Sequence, residues 1–170
     1  MTFYKKIYLS PLGEISLVAE ESSLVGVWFS GQKYFERGLF EPILLKSNDI
    51  LEETALLLDD YFSGKKVDFS VLPLYPSGSD FQQRVWSCLK TIPYGQTMTY
   101  GEIAKELKCQ SAQAVGGAVS KNPWSIVVPC HRVIGSKKQL TGYAGGLEKK
   151  IWLLEHETAL SDNLAKTKKD

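Results

Sequence analysis

Thr99-Tyr100-Gly101-Glu102-Ile103-Ala104-Lys105-Glu106-Leu107, the turn Lys108-Cys109-Gln110, and Ser111-Ala112-Gln113-Ala114-Val115-Gly116-Gly117-Ala118-Val119-Ser120-Lys121 form the run that decides the architecture of the C-terminal half. Thr99 with Glu102 three residues later has capping-box form, because the hydroxyl can accept from a backbone N–H while the carboxylate reaches back. A short helix is predicted from there to about Leu107. After the polar turn, a second helix is predicted from Ser111 to about Lys121, with a centre of small residues. Asn122-Pro123 ends it, since proline disfavours helical geometry in the residue before it. Two short helices joined by a tight turn fit a helix-turn-helix.

Upstream, Ser79-Asp80-Phe81-Gln82 is another capping box opening a helix to about Lys90, and Pro93-Tyr94-Gly95 is a turn. Downstream, Ser125 to Val128 reads as a short buried strand leading into Pro129-Cys130-His131-Arg132. A glycine-rich loop with Gly135, Gly142, Gly145 and Gly146 follows. A last helix is predicted from Leu147 to about Glu157, with Ile151, Leu154 and Leu147 turned inward. The N-terminal part differs. Ile15, Leu17 and Ala19 alternate, Leu24 to Phe29 reads as another strand, and with Phe3 to Leu9 they make a small antiparallel meander. Ile50 to Phe62 has helical spacing with Asn48 as N-cap, and 67–79 reads as an extended connection.

The 170 residues carry 20 basic and 19 acidic groups, a net charge of +1. That total hides an asymmetry. Residues 1–80 hold 7 basic and 12 acidic groups, and residues 81–150 hold 10 and 3. The basic share coincides with the helix-turn-helix and the Cys130 segment, as for a protein meeting a polyanion or an anionic membrane surface. A 44% apolar content excludes wholesale disorder. No stretch approaches 18 uncharged apolar residues, so no membrane span is expected, and the start lacks the apolar run of a signal peptide. Three cysteines, an odd number, point to free thiols in a reducing compartment. Cys88, Cys109, Cys130, His131 and His156 match no zinc-ligand spacing, and neither a metal nor a cofactor is expected.

Reactivity concentrates at Cys130. A free thiol with pKa about 8.5 needs a base or a positive field to act as a nucleophile. His131 is adjacent, and Arg132 and Lys121 supply positive charge. Neighbours on a regular strand point to opposite faces, so a turn or a bridging water must connect Cys130 to His131. The imidazole also needs an orienting acceptor, for which Glu157 is the candidate. Taken alone, the pair also fits a buried small thiol beside a satisfied histidine.

The segment Ile126-Val127-Val128-Pro129-Cys130-His131-Arg132-Val133-Ile134-Gly135 resembles the active-site motif of the O6-alkylguanine-DNA alkyltransferases (methylated-DNA–protein-cysteine methyltransferases). Phe81 to Trp86, Ile92 to Gly95, Thr99 to Ala104, Ala114 to Ala118, Asn122-Pro123, Gly142 to Leu147 and Leu153 to Glu157 resemble family segments in family order. Together they cover residues 79–157; the first 78 fit loosely. The resemblance implies an α+β protein. It would have a small N-terminal antiparallel sheet with a helix, ribonuclease-H-like, over 1–78. A helical alkyltransferase and DNA-binding domain would follow over 79–158, with a flexible tail over 159–170.

It also implies a monomeric, cytoplasmic (or nuclear) repair protein that flips an alkylated guanine out of double-stranded DNA through the minor groove. Cys130 would attack the alkyl carbon, His131 would take the thiol proton through water, and Glu157 would hold the histidine. Tyr100 would rotate a phosphate and donate to the flipped guanine, and Asn122 would pin the turn before the active-site segment. Pro129 and the carbonyls of Cys130 and Val133 would line the base site, with Tyr143 and the backbone of Ala144 as its far wall. Ser111, Gln113, Ala114, Gly116, Gly117 and Lys121 would meet DNA. The product thioether has no evident means of cleavage, so each molecule would act once.

Two positions depart from the family pattern. Gln113 stands where an arginine usually fills the gap left by the flipped base, which implies weaker binding or flipping. Ala144 stands where a serine is frequent. A lesion sensor that binds without transfer, and a cysteine hydrolase using Cys130, His131 and Glu157, are the other classes these residues allow. The presence of Cys130 argues against the first, and the lack of an oxyanion-hole motif against the second.

Overall fold

The computed structural model describes residues 1–39 and 41–169, with side chains through Thr158; the tail expected over 159–170 falls outside the described side chains. The architecture is mixed α+β, and the chain divides into two compact units. The first comprises Met1–Ser77 together with Pro123–Val127. The second comprises Gly78–Asn122 and Val128–Asp170. The short N-terminal return at 123–127 is a feature that contiguous domain limits do not convey.

In the first unit, β1 (Phe3–Ser10), β2 (Gly13–Ala19) and β3 (Leu24–Phe29) form the expected antiparallel meander. Gly13, at φ +98°, closes the first hairpin in a conformation that suits glycine. A two-residue strand β4 (Ile43–Leu44), not anticipated, adds in parallel to β1, giving the order β3-β2-β1-β4. The alternation in β2 suggests one buried face, yet Ile15 through Ala19 are all buried. The helix α1 (Asp49–Phe62) packs on β1 and β2, and Val18 joins Phe3, Val25 and Trp28 in a separate cluster. Asn48 caps α1 by accepting from the Leu51 N–H. Within the connection after α1, Phe69–Val71 winds into a 3-10 turn.

The segment 123–127 runs along β3. The Val27 N–H donates to the Pro123 carbonyl, the Ser125 N–H to the Val27 carbonyl, and the Trp124 indole to the Leu24 carbonyl. The strand expected over 125–128 does not form. Ile126 is buried at φ +69°, the left-handed region that a β-branched residue rarely adopts, and the Val127 N–H closes onto the Ser125 carbonyl. Packing of Ile126 and Trp124 overrides the extended preference that the apolar run suggested.

The second unit holds α2 (Asp80–Leu89), α3 (Tyr100–Glu106), α4 (Ala112–Ser120) and α5 (Leu147–Lys169). Both capping boxes read from the sequence are formed, Ser79 with Gln82 and Thr99 with Glu102. Ser111 caps α4 by accepting from the Ala114 N–H. The helix pair α3–α4 packs together and α2 packs on α4. Two short strands, β5 (Met98–Thr99) and β6 (Val133–Ile134), pair in parallel and tie the start of α3 to the segment after Cys130. Among the described residues, no helix is long and apolar enough to cross a membrane.

Candidate active site

Cys130, His131 and Arg132 form a 3-10 turn rather than the end of a strand. Pro129 (φ −79°, ψ 65°) initiates it, and the Cys130 N–H donates to the Val128 carbonyl at 2.7 Å. A turn is what adjacent nucleophile and base require, because it breaks the alternation of a strand. Asn122 closes the neck of the 123–127 excursion by donating from Nδ2 to the Val128 carbonyl at 2.9 Å.

The sulfur of Cys130 is buried, and the polar side chains of Asn122 and Tyr143 favour its charged form. Burial pushes the thiol pKa up; those side chains and the charge of Lys150 pull the other way without overcoming it. Cys130 therefore rests as a thiol and needs a base.

That base is His131, and one buried carboxylate holds it in place. Glu157, on the inner face of α5, accepts from His131 Nε2 at 2.6 Å, from Arg132 Nε at 2.7 Å and Nη2 at 3.1 Å, and from the Gly95 N–H at 3.3 Å. Burial alone would raise its pKa, but the hydrogen bonds and charges of His131 and Arg132 hold it well below the usual carboxylate range. An ionised carboxylate only accepts, so His131 carries its proton on Nε2 and presents Nδ1 as the lone pair. Nδ1 is buried with no hydrogen-bond partner among the described residues. Burial lowers the histidine pKa, and the opposing pull of Glu157 does not restore it, so the imidazole is neutral at neutral pH. The arrangement is a buried thiol beside a neutral base whose tautomer is fixed by an anion that cannot itself take the proton.

The Val133 carbonyl accepts from Lys150 Nζ at 2.6 Å, and the Cys130 carbonyl accepts from the Val133 N–H, leaving each a second lone pair. Tyr100 opens α3, and its hydroxyl accepts from Thr141 Oγ1 at 3.1 Å. Pro129 is buried, and Tyr143 and Ala144 are half-buried. On α4, Ser111, Gln113, Ala114 and Gly117 are exposed, whereas Gly116 and the C-cap Lys121 are half-buried. A Cβ on Gly117 would meet nothing within 4 Å, and one on Gly116 would make only ordinary contact with the Tyr100 ring at 3.7 Å. Neither glycine is demanded by packing within the protein.

Three residues escaped the sequence reading. In the sequence Arg132 is only a source of charge, yet in the structure it clamps Glu157, donates from Nη1 to the Ile92 carbonyl and lies over the Tyr94 ring. Thr141 gave no signal. Lys150 gave one. The inward face of α5 is Lys150, Leu153 and Glu157, while the expected Ile151 and Leu154 are half-buried and Leu147 is 44% exposed. Choosing the apolar members placed the stripe one residue off, and anchoring it on Glu157 would have brought Lys150 inside.

A solvent-shielded cysteine with its histidine and carboxylate, in a unit carrying a helix-turn-helix pair, defines a cysteine-nucleophile protein with a nucleic-acid-binding type of scaffold. Residues 80–159 match the family model for the DNA-binding domain of 6-O-methylguanine DNA methyltransferase, and residues 3–76 match that for its ribonuclease-like domain. A methylated-DNA–protein-cysteine methyltransferase of Methanosarcina acetivorans is 44% identical over 156 residues, covering 91% of this chain and 97% of that one. One from Mycobacterium leprae is 45% identical over 152 residues, covering 87% and 88%. The solved structure of Mycobacterium tuberculosis OGT in complex with DNA superposes with a TM-score of 0.83 at 38% identity, over 92% of this chain and 94% of that one. The chain belongs to the 6-O-methylguanine DNA methyltransferase family.

Proposed function

We propose that this protein repairs DNA by direct reversal, transferring the alkyl group of O6-alkylguanine irreversibly to its own Cys130. The observation that carries this is the buried Cys130 turn, with a neutral His131 held on Glu157, inside the stretch matched by the family's DNA-binding domain. The S–H bond breaks, its proton passes through a water to His131 Nδ1, the sulfur–alkyl bond forms and the bond to guanine O6 breaks. Guanine leaves with a proton or hydrogen bond supplied by Tyr100. An N–H at Ala144 assists the departing oxygen, and Tyr143 walls the base site. The second lone pairs of the Cys130 and Val133 carbonyls accept from the guanine amino group. Asn122 holds the turn in register.

Residues 79–158 act as the alkyltransferase and DNA-binding domain and residues 1–78 as its companion. DNA is the partner; α4 enters the minor groove of the duplex with Ser111, Gln113, Ala114, Gly116, Gly117 and Lys121, and the alkylated base is flipped into the site. The exposed Gly117 and the half-buried Gly116 support this, because backbone without side chains approaches DNA closely and nothing inside the protein needs them. The protein works as a monomer in the cytoplasm, or in a nucleus where there is one. Mass spectrometry after mixing with a duplex holding one O6-methylguanine tests the reading. One methyl group on the Cys130 peptide, at one equivalent per protein and none in Cys130→Ser, is the expected result. Repeated turnover, or no mass gain, would overturn it.

A further inference from the structure

Thr141 is a half-buried hydroxyl that the scheme above leaves idle, and it touches the group from which that scheme draws a proton. Its Oγ1 donates to the Tyr100 hydroxyl oxygen at 3.1 Å. The two side chains stand on chain segments tied together by one small sheet. Tyr100 is the first residue of α3, directly after β5, and Thr99 of β5 pairs with Ile134 of β6. The chain leaving β6 folds tightly on itself. The Gly135 N–H donates to the Gln139 carbonyl, the Lys138 N–H to the Gly135 carbonyl and the Lys137 N–H to Gln139 Oε1. Gln139 packs over Gly135, where a Cβ would leave it no room. Thr141 follows this closed turn and meets Tyr100 from it. The Tyr100 ring is also met from α4, where a Cβ on Gly116 would touch it at 3.7 Å. A phenol has one proton to give and an oxygen that accepts. Donation from Tyr100 to Thr141 would engage that proton, whereas acceptance from Thr141 leaves it free for a base.

We propose that Thr141 is a positioning residue for alkyl transfer: it aims the Tyr100 hydroxyl and keeps a donor on the oxygen from which the leaving guanine takes its proton. The assignment rests on alkyl transfer at Cys130 with Tyr100 as the donor to the base. As the alkyl carbon moves from guanine O6 to sulfur, the electron pair of the broken C–O bond stays with guanine. The Tyr100 proton moves to the guanine ring, and negative charge builds on the phenolic oxygen. The Thr141 hydroxyl already points at that oxygen, so its hydrogen bond is stronger in the transition state than at rest. Only such a difference speeds a step. Neighbouring hydrogen bonds also polarise one another, so a phenol that accepts one is a better donor of the next. The thiol proton taken by His131 restores the phenol through water after transfer, which leaves a neutral guanine and a neutral thioether.

The test is a double-mutant cycle on the single-turnover rate of methyl transfer, at a saturating concentration of a duplex holding one O6-methylguanine. Thr141→Val keeps the shape and removes the hydroxyl. It is expected to slow transfer about tenfold, the worth of one ordinary hydrogen bond, with the Kd for the duplex unchanged. Thr141→Ser restores the hydroxyl and should bring the rate back to within about twofold of wild type, since the donor returns without the methyl group. Tyr100→Phe is expected to slow transfer about a hundredfold, the lower end for loss of a proton donor. In that background Thr141→Val should change nothing further, because the oxygen it serves is gone. A wild-type rate in Thr141→Val would overturn the assignment. So would an equal slowing by Thr141→Val in the Tyr100→Phe background, or a Thr141→Ser protein as slow as Thr141→Val; either would make Thr141 a packing residue of the loop. A Thr141→Val protein that does not fold would do the same. Tyr100→Phe at the wild-type rate would remove the proton donor and the assignment with it. Absence of methyl uptake by wild type would instead overturn the reading of function.

Discussion

The interiors of the two units are built from different chemistry. In the N-terminal unit the buried polar residues are Ser16, Ser23, Gln32, Thr54 and Ser125, all neutral. Among the described residues of the C-terminal unit they are Asn122, His131, Arg132, Lys150 and Glu157, all but one of them ionisable. A neutral hydroxyl or amide is satisfied by one or two local partners; Thr54, for example, donates to the Ile50 carbonyl within α1. A buried ion needs a constellation, and removing one member strands the others. The first unit should therefore fail by losing volume and the second by losing charge balance.

The largest expected contrast is chemical. Cys130→Ser abolishes methyl uptake outright, read by mass spectrometry. Leu17→Ala, in the interior of the N-terminal sheet, leaves the transfer rate of the folded protein unchanged. A large drop in rate for folded Leu17→Ala would break the separation of the two interiors.

Next comes Glu157→Gln. A carboxamide cannot accept from all four donors now converging on the carboxylate, and it leaves the Arg132 guanidinium buried without a counter-charge. The expected loss is about 3–5 kcal/mol in denaturant unfolding. Leu17→Ala is expected to cost a comparable 2–5 kcal/mol through a cavity. The two differ in acid. The folded pKa of Glu157 is held below its unfolded value of 4.5, so its stabilisation is fully present above that pH and is lost as pH falls below it. Amide exchange should report opening of α5 and the Cys130 turn as the pH is lowered through 4, and Glu157→Gln should remove that pH step while Leu17→Ala keeps it.

These differences bear on what the sequence could convey. Caps, alternation and turns are local, and the elements they specify are where the spacing puts them: Asn48, Ser79, Thr99 and Ser111 all start helices. The segment 125–128 is different, because its conformation comes from hydrogen bonds to β3, a hundred residues away, and from Ile126 held at positive φ. Apolar composition does not encode that. The same holds for α5, where assigning the inward face to apolar residues fails since this interior holds a lysine and a glutamate. Cys130, His131 and Glu157 were legible because a nucleophile needs a base and an orienting anion. Arg132 as a clamp and Thr141 as a partner of Tyr100 depend on contacts that only the folded chain creates.

The smallest effects separate residues kept for stability from residues kept for contact. Gly117 lies inside α4, is exposed, and a methyl group there would touch nothing within 4 Å. A glycine in that position costs a helix up to about 1 kcal/mol relative to alanine. Gly117→Ala should therefore stabilise the protein by a few tenths to about 1 kcal/mol, measured by denaturant midpoint. If the α4 backbone lies against DNA, the same methyl group lowers duplex affinity severalfold at constant salt. Gln113→Arg acts in the opposite sense, tightening duplex binding and speeding transfer by adding a charge and a longer side chain on the same exposed face. Gly117→Ala that gains stability with unchanged affinity would move the DNA contact off this face of α4. Unchanged binding and transfer in Gln113→Arg would remove the base-gap role from that position.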